Sequence, residues 1–139
     1  NIDMMGYDGD DDNDFDIDVR PIANSMAMKD DLVGLLATYN FNLNVNVVNP
    51  GTTASDHSRF WNQGFSALLV VEFWENNDQT PHYHSSGDRF STLDLPYFHE
   101  LAKLIMSYMV TKGSLVSVDN SLTVSPSTLT SNMDNASYQ

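Results

Sequence analysis

Ala54-Ser55-Asp56-His57-Ser58-Arg59-Phe60-Trp61-Asn62-Gln63-Gly64-Phe65-Ser66-Ala67-Leu68-Leu69-Val70-Val71-Glu72 is followed, one loop later, by Pro81-His82-Tyr83-His84-Ser85-Ser86-Gly87-Asp88. The apolar run from Leu68 to Val71 lies between two polar loops that carry groups able to hold a metal. A short run that is apolar at every position reads as a strand buried on both faces, the usual condition of a parallel sheet. In open α/β sheets, ligands bind at the loops beyond the carboxyl ends of the strands. His84 falls in such a loop. A lone loop histidine is more often a solvated bystander than a ligand. A metal-bound imidazole must also donate its second N–H to a fixed acceptor, and Ser55 and Asp56 supply oxygens for that.

The bulk composition narrows the chemistry. The chain has 139 residues, enough for one domain with a core. Only 6 Lys+Arg stand against 19 Asp+Glu, a formal charge of -13. That field repels phosphate backbones and anionic lipid, which argues against nucleic-acid and membrane-surface roles and favours bound cations. With no cysteine, disulfides and thiolate zinc sites are ruled out, so any metal is held by carboxylate and imidazole. The longest apolar run is far below the ~20 residues of a spanning helix, and no signal peptide is visible. The start at Asn1, with no initiating Met, reads as a cut chain.

Taken in order, residues 1–7 read as a strand end running into a turn at Gly6, with Asp3 a turn-capping carboxylate or a ligand. Asp8, Asp10, Asp12, Asp14, Asp16 and Asp18 then alternate with other residues. Alternate oxygen donors around Gly9 can wrap calcium, and Asp8, Asp10, Asp12 and Asp14 are the candidate ligands. A solvated acidic loop explains them equally well. Phe15, Ile17 and Val19 alternate with the acids, so the end of this segment predicts a strand with one buried face.

Asn24 or Ser25 caps a predicted helix through about Tyr39, with Met28, Leu32, Leu35, Leu36 and Tyr39 as its core stripe. Phe41, Leu43, Val45 and Val47 alternate with asparagines, as in a half-buried edge strand. Asn49-Pro50-Gly51 breaks that pattern. His57 to Asn62 is a short helical turn ended by Gly64. Asp94 and Pro96 open a last helix, which Lys112-Gly113 stops; its stripe is Phe98, Leu101, Leu104, Ile105, Tyr108 and Met109. Residues 114–139 are rich in Ser, Thr and Asn and read as a linker or the start of an appended module, with weak strand hints at Leu115-Val116 and Leu122-Thr123-Val124. Asn135-Ala136-Ser137 is a formal glycosylation sequon.

Ordered matches over about forty residues carry a resemblance. Ser55-Asp56-His57 with Phe60, Gly64-Phe65-Ser66-Ala67 leading to Glu72, Pro81-His82-Tyr83-His84-Ser85 with Asp88, and Leu93-Asp94 resemble the C-terminal half of zinc-dependent aminopeptidases that use two co-catalytic metals. Asp3-Met4 with Gly6-Tyr7 is similar to that family's ligand at a strand tip. Ser66 stands where the family usually has Pro, a change confined to a turn.

The resemblance implies an α/β fold, a three-layer sandwich around a central, mostly parallel sheet, of which only the C-terminal half, residues 1–113, is present. It implies Asp3 and His84 as ligands, one to each of two zinc ions. Ser55 would then accept the second N–H of His84, and Met4, Leu69, Val71 and Tyr83 would line the substrate pocket. Tyr83 before and Ser85 after select His84 over its competitor His82. Asp56, His57 and Glu72 are structural, and no phenol precedes Ser55 to hold an oxyanion. The bridging Asp, the remaining ligands and the general base belong to a preceding segment, so this stretch is not expected to act alone.

The implied partners are peptide or protein substrates and that missing N-terminal half, and the implied location is secreted or periplasmic. A non-catalytic relative serving as a binding or assembly unit is the alternative. Glutaminyl cyclase, whose motif tends to carry Asp-Asp-His and Trp-His-Thr, ranks lower, as do carboxypeptidases of the same fold.

Overall fold

A computed structural model describes residues 1–75 and 78–113. In chain order it contains β1 (Asp14–Asp18), α1 (Ser25–Tyr39), β2 (Asn44–Val48), α2 (His57–Asn62), β3 (Leu69–Glu72), a 3-10 turn at Phe90–Thr92 and α3 (Leu95–Lys112). The three strands form one sheet in the order β2-β1-β3. β1 runs parallel to β2, with Ile17 opposite Val47, and antiparallel to β3, with Asp16 opposite Val71.

The chain start lies along the other side of β3 in parallel register, Ile2 bridging Val70. Val70 N–H donates to Asn1 O at 3.1 Å, Asp3 N–H to Val70 O at 3.1 Å and Glu72 N–H to Met4 O at 2.7 Å. The sheet is therefore mixed. Burial of β3 on both faces, which suggested a parallel neighbour, does not fix strand direction: an antiparallel partner on one side and a parallel one on the other satisfy the same backbone groups.

β1 is central because both its faces are useful. Phe15, Ile17 and Val19 are 0% exposed and pack with Leu68, Val70, Leu32, Leu35, Leu101 and Leu104. Asp16 and Asp18 point to the opposite face, as the two-residue period of a strand requires. Among the described residues, α1 and α3 cover one face of the sheet, and Asp16, Asp18, Leu69 and Val71 line a cavity on the other. A second helical layer is not among them.

The helix bounds fall near those expected, but α1 lacks the expected side-chain cap: Asn24 makes no capping hydrogen bond, and Ser25 is already helical, its hydroxyl donating to Ile22 O at 2.7 Å. α1 stops at Asn40, which takes a left-handed conformation (φ 53°). Its expected stripe holds at Leu32 and Leu35, but Tyr39 is 54% exposed, since the last turn lifts it to the rim, where it meets Phe41 instead. In α3, Asp94 Oδ1 caps the helix by accepting Tyr97 N–H at 3.0 Å. The expected stripe is rotated by one residue at its start: Tyr97 is buried and Phe98 exposed, and Met109 is exposed as well. Tyr97 tolerates the core because its hydroxyl donates to Asp14 O at 2.7 Å. Burial pushes that hydroxyl far above the ordinary phenol range.

The turn after β2 sets where the next loop lands. Gly51 N–H donates to Val19 O at 2.9 Å, and Thr52 N–H donates to Asp18 Oδ1 at 2.6 Å. A Cβ at Gly51 would stand 2.7 Å from both Asp18 Cβ and Val19 N, closer than any real side chain comes. Gly51→Ala is expected to cost about 2 kcal/mol through overpacking, measured as a lower midpoint in chemical denaturation with an unchanged slope.

The linker assignment for 114–139, its strand hints and the sequon at Asn135 lie outside the described residues. No helix among the described residues is long and apolar enough to cross a membrane.

Candidate functional site

One buried carboxylate gathers the pieces. Glu72, at the end of β3, is 1% exposed. Its Oε2 accepts Gly6 N–H at 3.3 Å and Tyr7 N–H at 3.1 Å, and its Oε1 accepts Thr80 N–H at 2.9 Å. The first two donors lie just after Asp3 and the third lies four residues before His84. Burial raises the Glu72 carboxyl above its ordinary value, and the three N–H groups pull it back. This is a structural clamp, as the sequence suggested for Glu72.

Beside the clamp, the sheet face carrying Asp16, Asp18, Leu69 and Val71 floors a cavity of roughly 430 Å³, the size of a small-ligand pocket. Asp3, Met4, Ser55, Leu69, Val71 and Tyr83, drawn from four separate stretches of chain, all line it. His84 is not a lining residue. Its ring stacks on Tyr83, centroids 3.8 Å apart at 18°, and Tyr83 in turn meets Trp74 edge-on at 5.4 Å.

Ser55 has a different partner from the one expected. Its hydroxyl donates to Asp3 Oδ2 at 2.7 Å and accepts from Asn1 Nδ2 at 2.8 Å, and no bond to His84 is found among the described residues. The reason is geometric: Asn1 to Met4 lies beside β3, directly under the loop that carries Ser55. Met4 (φ 48°) and His84 (φ 53°) both take left-handed backbone conformations. For a side chain with a Cβ this costs on the order of 1–2 kcal/mol, and such strain gathers at functional sites.

His57 is fully buried, its Nε2 2.9 Å from Thr52 O and its ring edge-on to Trp61 at 4.4 Å. Because a carbonyl only accepts, Nε2 carries the proton. The residue shapes the loop, as expected of it.

Two cavity residues went unnoticed in the sequence. Asp16 and Asp18 are 3% and 5% exposed. Asp16 accepts Asn46 Nδ2 at 2.7 Å and Trp74 N–H at 3.2 Å. Burial raises both carboxyls, against hydrogen bonds from Asn46 and Trp74 to Asp16 and from Thr52 to Asp18. The alternation of acids through position 18 suits a calcium loop and a solvated acidic loop running into a strand equally well, and neither places Asp16 and Asp18 in a cavity. The signal that could have found them was the strand period itself, which sends Asp16 and Asp18 to the side opposite Phe15 and Ile17.

The acidic loop also needs a correction. Asp8, Asp10 and Asp12 do come together, but their fourth member is Asp78, not Asp14. Asp14 opens β1 opposite Asn44, and its side chain hydrogen-bonds to Asp12 and Asn44, so it borders the group without being one of the four.

Residues 1–109 match the family model described as peptidase family M28. The structure is similar to the crystal structure of the LapA aminopeptidase of Legionella pneumophila, with a TM-score of 0.62 at 23% sequence identity, over 77% of this chain and 28% of that one. At that identity the likeness is one of fold, and the chain spans little more than a quarter of that aminopeptidase's length. No curated protein matches the sequence significantly.

Proposed function

Because the chain belongs to peptidase family M28, the zinc aminopeptidase-like family that its Ser55 to Asp94 motifs resemble, we propose that it is the C-terminal part of a metal-dependent exopeptidase domain that releases N-terminal amino acids. Asp3 and His84 each give one ligand to one of two zinc ions in this reading. The observation that carries it is the convergence of Asp3, Met4, Ser55, Leu69, Val71 and Tyr83 on one cavity, with His84 stacked on Tyr83.

The residues present suit such a metal. Carboxylate oxygen and imidazole nitrogen are ordinary zinc donors. Ser55 holds Asp3 Oδ2, which orients the carboxylate and leaves Oδ1 for a cation. The ring nitrogens of His84 make no hydrogen bond among the described residues, and the strained backbone at Met4 and His84 is what a preset ligand frame requires. When bound, a zinc pair supplies an activated water and polarises a peptide carbonyl. The chain's own residues position substrate: Met4, Leu69 and Val71 take its first side chain, and Tyr83 and Trp74 wall the cavity. The remaining ligands and the general base come from a preceding segment that completes a three-layer fold, residues 114–139 are a linker or the start of an appended module, and the protein works outside the cytoplasm on peptides.

Asp16 and Asp18 refine the substrate. Apolar walls over two acids accept a long aliphatic stem with a cationic end, so lysine and arginine are favoured over leucine at the substrate N-terminus. Asp16 also faces Asp18 and Glu75, and Asp18 faces Arg20 and His57. Since burial holds both carboxyls above their ordinary values, they ionise only as pH rises. The ratio of kcat/KM for lysyl over leucyl substrates is therefore expected to grow with pH, and Asp18→Asn to lower it by about tenfold, near 1.4 kcal/mol.

Metal analysis of the intact protein together with an N-terminal release assay tests the main reading. Two zinc ions per molecule and release of N-terminal residues are expected. A folded intact protein that holds no zinc and releases nothing is the non-catalytic binding relative instead.

A further inference from the structure

The acidic loop before β1 holds a group that the peptidase chemistry does not use. Asp8, Asp10 and Asp12 from that loop and Asp78 from beyond β3 each offer one carboxylate oxygen, and these oxygens lie within 4.8 Å of one another. Acidic residues cluster on many surfaces, but this cluster has a buried wall. Asp8 is 8% exposed and Asp78 3%. Asp78 Oδ1 accepts Gly9 N–H, while its Oδ2 is buried with no hydrogen-bond partner among the described residues. A buried carboxylate oxygen with nothing to accept is costly unless a cation meets it.

No protein cation does so. The ion pairs among the described residues join Lys29 to Asp30, Lys103 to Glu100 and Lys112 to Asp31. Burial raises the Asp8 and Asp78 carboxyls, and the charges of Asp10 and Asp12 raise them further, against backbone N–H groups that lower them.

We propose that Asp8, Asp10, Asp12 and Asp78 form a calcium site that fastens the acidic loop to the segment after β3. An all-oxygen donor set selects a hard cation over zinc or copper. Among hard cations, carboxylates gathered from two loops suit the flexible shell of six to eight oxygens that calcium accepts better than the near-ideal octahedron that magnesium demands. Gly9 belongs to the design, since a Cβ there would stand 2.8 Å from Asp78 Oδ1. The loop is joined to Gly6 and Tyr7, and Asp78 to Thr80, so the cation bridges the same two stretches that Glu72 clamps. Its role is to hold the segments bearing Asp3 and His84 in register, and it does not depend on the peptidase reading.

Titration of calcium by calorimetry into the chelator-stripped intact protein, resaturated with zinc, tests this. One calcium per molecule is expected, with a dissociation constant of about 10⁻⁶–10⁻⁴ M and a rise in melting temperature. Asp78→Asn and Asp10→Asn should each weaken binding by about tenfold or more, while Asp30→Asn, an exposed carboxylate on α1 outside the group, leaves it intact. Asp10 is exposed, so its variant reports on the site even if Asp78→Asn fails to fold. Absence of binding at millimolar calcium, wild-type affinity in Asp10→Asn, equal loss in Asp30→Asn, or equal affinity for magnesium would each overturn the assignment. Loss of peptidase activity with calcium binding preserved would count only against the peptidase reading.

Discussion

His84→Ala in the intact protein is expected to abolish metal-dependent release of N-terminal amino acids, a loss on the order of a thousandfold or more in kcat/KM, the scale of removing a charge-stabilising group from a reacting centre. The same variant should hold one zinc fewer. Its fold should be untouched, because His84 is exposed and makes no hydrogen bond among the described residues, and surface positions free of such ties contribute little stability. Unchanged melting with lost metal and lost activity is the pattern of a ligand. His82→Ala is the control: His82 lies two residues away but is not the ring stacked on Tyr83, and its variant should remain active. Full activity in His84→Ala, or the loss moving to His82→Ala, would remove the ligand assignment.

Glu72→Gln should destabilise the protein by about 2–3 kcal/mol, a large share of an ordinary domain's 5–15 kcal/mol. Both carboxylate oxygens of Glu72 accept, from Gly6 and Tyr7 on one side and Thr80 on the other. An amide has a single oxygen, so whichever way it turns, its NH₂ faces a backbone N–H that has lost its acceptor inside the protein. Denaturant unfolding gives the stability. The clamp also joins the Asp3 and His84 segments, so activity should fall even at temperatures where the variant is folded. A variant as stable as the wild type would show that water replaces the lost acceptor and that Glu72 is not the clamp.

Much of the scaffold was legible because it rests on local rules. Asp94, Pro96 and Gly113 mark the ends of α3, and the stripe through Leu32 and Leu35 marks α1. β2 shows its edge position in alternating valine and asparagine. Short-range sterics and capping set these features, and a neighbour in sequence suffices to specify them. The family was legible for a different reason: its motif residues keep a fixed order along the chain.

What failed to show in the sequence involves partners far apart in it. Asp78 lies 66 positions beyond Asp12, and only the close approach of two loops makes it the fourth acid. Ser55 was assigned to His84 on plausible chemistry, yet Asn1 to Met4 pairs with β3 and brings Asp3 to it instead. Asp16 and Asp18 looked like solvated acids until the sheet turned them into a cavity. Tyr97 replaced Phe98 on the inner side of α3 because only a tyrosine could reach Asp14 O.

By itself, then, the sequence determined which segments become helices and strands, the family they belong to and the residue types able to hold a metal, since propensity, capping and motif order act over a few neighbouring residues. Tertiary structure alone decided which carboxylates share a site, which way β3 runs and what the cavity is lined with. Those depend on hydrogen bonds and burial between stretches some fifty to eighty residues apart, such as Asn1 with Ser55 and Asp14 with Tyr97, whose pairing no local pattern encodes.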